Sequence, residues 1–262
     1  MEDSQAEYRN HPQKYQNRKI ELVASNLFDI DCKEINLYTY WQGLVYAKKT
    51  SDIKYLLVAQ DWGNPSTMSE GFKERIKKIN QGDTDTKYLD DSDSKIYETD
   101  KNLVRLFNCL GYEAIDKIRY DDLFFTNFCL GYRNGSDSGG MSANLMKGRC
   151  DEKKGYIGFT FFRELVTILE PEKILCLGKL TFQSVYRALT DENASSLENW
   201  KKGYNYFIGN HKKIIVAIGG RHIKLYPLAH CGSMGTMNHN RGTGHKANCL
   251  KNQENDWRRI IE

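Results

Sequence analysis

Tyr55-Leu56-Leu57-Val58-Ala59-Gln60-Asp61-Trp62-Gly63 is the stretch on which the fold turns. The apolar run from Tyr55 to Ala59 reads as a strand buried on both faces, the kind found in the middle of a parallel sheet. It stops abruptly in a polar pair, a large aromatic residue and a glycine. Open α/β sheets hold their ligands just beyond the carboxyl ends of their strands, so Gln60 and Asp61 stand where a site is expected. The same residues would also serve as a strand-ending turn, with Asp61 capping the segment that follows. The rest of the chain has to separate the two readings.

Working outward, the same pattern recurs. Leu123-Phe124-Phe125-Thr126-Asn127 is a second apolar run with a polar end, Ile174 to Leu177 a third, closed by Gly178, and Leu225 to Leu228 a fourth, leading into Ala229, His230, Cys231, Gly232 and Ser233. Helical stripes alternate with these runs. Leu103, Leu106, Phe107 and Leu110 form one, capped by Thr99 or Asp100 and ended by Gly111. Phe162, Leu165, Val166 and Leu169 form another, stopped by Pro171, and further helices are expected over 181–189 and 248–260. Residues 204–208 and 214–218 read as an edge hairpin. Ahead of all this, Ile20, Val23 and Leu27, then Leu37, Trp41, Leu44 and Val45, suggest two leading helices. The long polar segment 64–99, with a short helix over 72–79, is placed to act as a lid over the Gln60–Asp61 turn. The alternation predicts an α/β fold: one domain over 1–262, three α/β/α layers around a central, mainly parallel four-stranded sheet, with 1–50 as a leading helical layer.

Composition narrows the function. The chain has 262 residues, 40% hydrophobic and 27% charged, ordinary for a globular domain with a real core. A formal charge of +4 permits a polyanionic partner without demanding one. The 7 cysteines are odd in number and form no CxxC pair, which suggests reduced thiols and a cytoplasmic protein. No signal peptide is expected at the start, and no apolar run is long enough to span a membrane.

In a parallel sheet the carboxyl ends share one edge, so Gln60 and Asp61, Asn127, and His230 with Ser233 should converge there. Their chemistry is complementary. Asp61 supplies a base or an anionic partner. Asn127 donates and accepts at once, so it can read an amide-like edge. His230 can donate to a developing anion. Trp62 and Tyr97 are flat surfaces on which a ring can stack. Read singly, Asp61 is a turn cap, Asn127 a strand-end residue and His230 a structural histidine. Their convergence favours the functional reading.

These residues carry a resemblance to the uracil-DNA glycosylase superfamily. Gln60-Asp61 after a buried strand resembles that family's Gln-Asp-Pro-Tyr motif, Asn127 its strand-terminal base-reading Asn, and His230-Cys231-Gly232-Ser233-Met234 its His-Pro-Ser-Pro-Leu loop. Arg241-Gly242 follows, as an Arg-Gly pair does in the family, after a longer spacer. The resemblance spans roughly 56–242 and leaves the first two helices unexplained. It departs at Trp62-Gly63, where the family has Pro-Tyr, and at both loop prolines. The Tyr that screens out thymine's methyl group is absent, so either Trp62 plays that part or the pocket accepts a different base. The family's iron–sulfur branch uses four cysteines with a close pair that this chain lacks, so no cluster and no other cofactor is expected.

The resemblance implies a hydrolase for the N-glycosidic bond of uracil or a related deaminated base in DNA, acting as a monomer in base excision repair. The base is flipped out of the stack. Asn127 reads its edge, with Gln60 and Trp62 beside it, and Tyr97 or Phe72 stacks on the ring. His230 and Asp61 are the catalytic pair. Met234, or Met237, is the wedge that fills the gap, while Ser233 and Arg241 hold phosphates. Two other classes stay open: a catalytically silent nucleic-acid or base-binding module of the same fold, and a hydrolase of free nucleosides or other small molecules. A zinc site from His230, Cys231, His239, His245 and Cys249 matches no strong ligand spacing, and no metal is expected.

Overall fold

The computed structural model describes residues 20–21, 34–35, 53–61, 69–71, 73–74, 98–112, 123–128, 158–210 and 213–262. Within them a sheet of 5 strands is covered by helices. We label its strands β1 (Tyr55–Ala59), β2 (Leu123–Asn127), β3 (Lys173–Leu177), β4 (Ile214–Ile218) and β5 (Arg221–Leu228). Their order across the sheet is β2-β1-β3-β5-β4. The first four in that order run parallel, and β4 is antiparallel to β5.

The expected four-stranded sheet is therefore corrected to five strands. The expected hairpin of 204–208 with 214–218 is also corrected. Tyr204–Asn210 is a helix, and the partner of β4 is β5. Gly219 (φ 57) and Gly220 (φ 84) join them. Two positive φ angles in a two-residue loop give the primed turn whose twist matches a hairpin. The edge strand β4 alternates, with Val216 buried and Ile215 exposed. The central β1 is apolar along its length and β3 from Ile174 onward, as strands covered on both faces must be.

The helices follow the apolar stripes. In α1 (Glu98–Asn108), Leu103, Leu106 and Phe107 are buried, and the chain leaves through Gly111 at φ 92. α2 (Gly158–Leu169) ends before Pro171. α3 (Lys179–Thr190) buries Phe182, Val185, Tyr186 and Leu189, and ends in a left-handed Asp191. α4 (Tyr204–Asn210), α5 (Ser233–Asn240) and α6 (Lys251–Arg258) complete the set. On β2, Phe125 meets Phe107 of α1 at 5.0 Å between ring centroids. Phe128, three residues on, meets Phe162 of α2 at 5.2 Å. Successive side chains of a strand point to opposite faces, so α1 and α2 cover opposite sides. That is compatible with three α/β/α layers. Trp257 of α6 lies against Phe107 at 5.8 Å and shares the α1 side.

Ahead of β1, Ile20–Glu21 pairs antiparallel with Glu34–Ile35. Ile20 was expected on a helix, so the leading helical layer is corrected at these positions. The remainder of 1–50 lies outside the described residues. Helical turns occur at 70–71 and 73–74. No described helix is long and apolar enough to cross a membrane.

Candidate functional site

The parallel register brings the expected residues to one edge. Ala59 lies opposite Asn127, and the Phe128 N–H donates to the Ala59 carbonyl at 2.8 Å, so β1 and β2 stay paired to their last residues. On the other side Leu177 lies opposite Leu228, and the Gly178 N–H donates to the Leu228 carbonyl at 2.8 Å. Along the edge the order is Asn127 (β2), Gln60 and Asp61 (β1), Gly178 (β3) and His230 (β5). Neighbouring strands stand about 4.8 Å apart, so the backbones that carry Asp61 and His230 are separated by about 10 Å. A group that touches both must lie over the end of β3. Gly178, at φ 96, puts no side chain there.

Each side chain is differently held. Gln60 Nε2 donates to Asp61 Oδ2 at 3.1 Å, which steers the carboxylate. His230 Nδ1 accepts the Gly232 N–H at 3.0 Å. A ring nitrogen that accepts is unprotonated, so this bond assigns the neutral imidazole its proton on Nε2. The ring thus presents a donor. The loop behind it is tied down by buried amides: Gln253 Nε2 of α6 donates to the His230 carbonyl at 2.9 Å, and Asn102 Nδ2 of α1 to the Cys231 carbonyl at 2.7 Å. α5 passes so close that a Cβ at Gly235 would sit on the His230 carbonyl oxygen.

Asn127 is the anomaly. It is 1% exposed, and neither its Nδ2 nor its Oδ1 has a hydrogen-bond partner. Among the described residues no other side chain leaves two buried polar atoms unpaired. Each such atom costs about 1–3 kcal/mol. Evolved proteins retain that cost where a ligand supplies the missing partners or the strain has a use.

Ser233 and Met234 form the exposed first turn of α5, and Met234 is 65% exposed. Met237 is half-buried, so Met234 is the one presented to solvent. Arg241 follows α5 and is exposed. The loop it begins is folded around Asn240, whose Nδ2 donates to the Lys246 and Cys249 carbonyls at 2.9 and 2.7 Å and whose Oδ1 accepts from Asn252 at 3.0 Å. Trp62, Tyr97 and Phe72 lie outside the described residues.

His239, weighed as a zinc ligand, is paired through Nε2 with Asp256 at 2.7 Å. No group of three or more His, Cys, Asp and Glu residues that could hold a metal occurs among the described residues. Sequence reasoning missed Asn102, Gln253 and Asn240. Gln253 stands four residues before the buried Trp257, on the same helix face. A polar residue on an apolar stripe was the available signal.

No protein-family model and no curated protein matches the chain.

Proposed function

We propose that the chain is a DNA glycosylase with a uracil-DNA glycosylase-like fold, releasing uracil or a related deaminated base from DNA without a cofactor. The observation that carries this reading is Asn127: a buried amide with donor and acceptor both unpaired, on the same sheet edge as a His230 donor and a steered Asp61 carboxylate. Uracil, hypoxanthine and xanthine each offer an adjacent N–H and C=O. That edge satisfies an Asn amide twice, as an apolar ligand would not.

In the proposed reaction the flipped base pairs with Asn127. The bond between the sugar C1′ and the base nitrogen breaks, and its electron pair leaves with the base. His230 Nε2–H donates to the base oxygen on which that charge collects. Asp61 stabilises the cationic sugar and orients the water whose oxygen bonds to C1′. The water's proton passes to Asp61 and then to solvent. Trp62 walls the base, Tyr97 stacks on it, and Met234 fills the vacated stack. Ser233 and Arg241 hold phosphates.

The test is base release from oligonucleotides carrying one uracil, hypoxanthine or xanthine, single- and double-stranded, with Asp61→Asn and His230→Ala beside the parent. Release that collapses in both variants supports the site. Release that survives both sinks the assignment of roles. DNA binding without release from any substrate points to a silent base-binding module. Binding with no salt dependence points away from nucleic acid altogether.

A further inference from the structure

One peptide unit connects α1 to the His230 imidazole. The carbonyl of Cys231 and the N–H of Gly232 belong to the same amide plane. That bond is trans, as no cis peptide occurs among the described residues, so the two groups point in opposite directions. Asn102 Nδ2 donates to the carbonyl at 2.7 Å, and the N–H donates to His230 Nδ1 at 3.0 Å. The chain of contacts therefore runs from the Asn102 amide, through one rigid plane, to the ring. Fixing the oxygen end aims the hydrogen end.

We infer that Asn102 is a positioning residue that sets the tautomer of His230, holding the ring proton on Nε2. Three features support it. Asn102 is 6% exposed within α1, in a helix interior where Asn is a poor choice by propensity. The plane cannot easily turn away, because Gly232 is itself crowded: an added Cβ would meet Thr99 Oγ1 at 3.0 Å and the His230 ring at 3.1 Å. The hydrogen bonds in series also polarise one another, which strengthens the Gly232 N–H as a donor. Gln253 plays a different part. It holds the preceding carbonyl, that of His230, and its Oε1 accepts from Thr236 Oγ1 at 3.2 Å. It fixes where the loop lies, and Asn102 fixes which nitrogen carries the proton.

The consequence for catalysis rests on the proposed glycosylase reading, whereas the tautomer assignment does not. The experiment separates them. Nitrogen-15 spectra of the imidazoles, recorded on the full chain above the pH at which His230 titrates, give its tautomer directly. The parent is expected to show a single Nε2–H form. Asn102→Ala and the volume-conserving Asn102→Leu are expected to show a mixture, with kcat for base release down about 10- to 100-fold and KM within about twofold of the parent. Gln253→Met is expected to leave the tautomer single. An Nδ1–H form in the parent overturns the inference even if no variant folds. So does an unchanged tautomer in both Asn102 variants, or an equal mixture in Gln253→Met. A parent that releases no base while the Asn102 variants still lose the single tautomer overturns the glycosylase reading and leaves the positioning role standing.

Discussion

The two ends of the central strands bury polar groups in opposite ways. At the amino end Lys173 is 9% exposed, yet its Nζ donates to the Ile260 carbonyl at 2.7 Å and lies 5.5 Å over the Tyr55 ring. Its charge is accommodated by a helix end and a ring face. At the carboxyl end Asn127 is more deeply buried, and both of its amide atoms are left unpaired. Lys173 has found partners within the protein. Asn127 has not, and it lies on the same sheet edge as His230, whose Nδ1 accepts from the Gly232 N–H. The contrast says more than burial alone, because Lys173 and Asn127 are both buried, and among the described residues only Asn127 leaves two side-chain polar atoms without partners.

The largest expected effect breaks the carboxyl end chemically while sparing the fold. His230→Ala removes the proposed donor to the leaving base and is expected to lower kcat for base release about 10²- to 10³-fold. The urea midpoint should stay close to the parent's, because the His230 and Cys231 carbonyls remain held by Gln253 and Asn102. A large loss of stability with modest loss of activity would make His230 a structural residue.

Gly235→Ala tests the same loop from the packing side. Its Cβ would fall on the His230 carbonyl oxygen, so the α5 backbone or the loop must shift. Overpacking of this kind costs about 1–3 kcal/mol, read from equilibrium urea unfolding. Because the displaced atom belongs to His230, base release should fall with stability. An unchanged midpoint would mean that α5 rides farther from the loop than described.

Asn127→Leu sharpens the comparison most directly. If the unpaired amide is kept for a ligand, an apolar side chain of similar size should raise the unfolding free energy by about 1–2 kcal/mol while lowering base release about 10- to 100-fold through the two lost hydrogen bonds. A destabilised variant would show that the amide has a partner within the protein, and the two ends would then be alike.

The parts of this molecule that were legible in the sequence are those where a local pattern and its tertiary role coincide. The runs ending in Ala59, Asn127, Leu177 and Leu228 are strands because they are buried on both faces, and continuous apolar runs record that burial. Convergence of Asp61, Asn127 and His230 on one edge followed from parallel order alone. The hairpin failed for a specific reason. Tyr204, Phe207 and Ile208 have the i, i+3, i+4 spacing of a helix face, and the Gly219-Gly220 pair is the turn signal for the hairpin that does form. The β assignment of Ile20 depends on Ile35, fifteen residues on, a pairing that no helical stripe could announce. Asn102 and Gln253 were invisible for another reason. Their partners are main-chain carbonyls far along the chain, and a backbone acceptor leaves no residue type to match.

The smallest expected effect concerns the amino end. Burial, with Lys224 and Lys54 nearby adding to it, lowers the pKa of Lys173 from the ordinary lysine value. Between that lowered value and the ordinary one, the unfolded chain binds the proton and the folded chain does not. Stability from this group therefore rises with pH across the window, and the cost of burying the ammonium is fully present below it. Lys173→Met keeps the apolar stem and removes the titration. The stability difference between variant and parent should thus favour the variant most at neutral pH and shrink as pH climbs through the window. Tyr204 and Tyr226, whose buried phenols titrate above their ordinary value, act oppositely at high pH but are common to both proteins and cancel in the difference. Thermal or urea unfolding of the pair across the alkaline range checks it. A difference that does not change with pH would mean that the Ile260 carbonyl and the Tyr55 ring fully replace the water Lys173 gives up. The amino end would then be neutral to protonation, and the two ends of the sheet would differ even more sharply than their hydrogen bonds indicate.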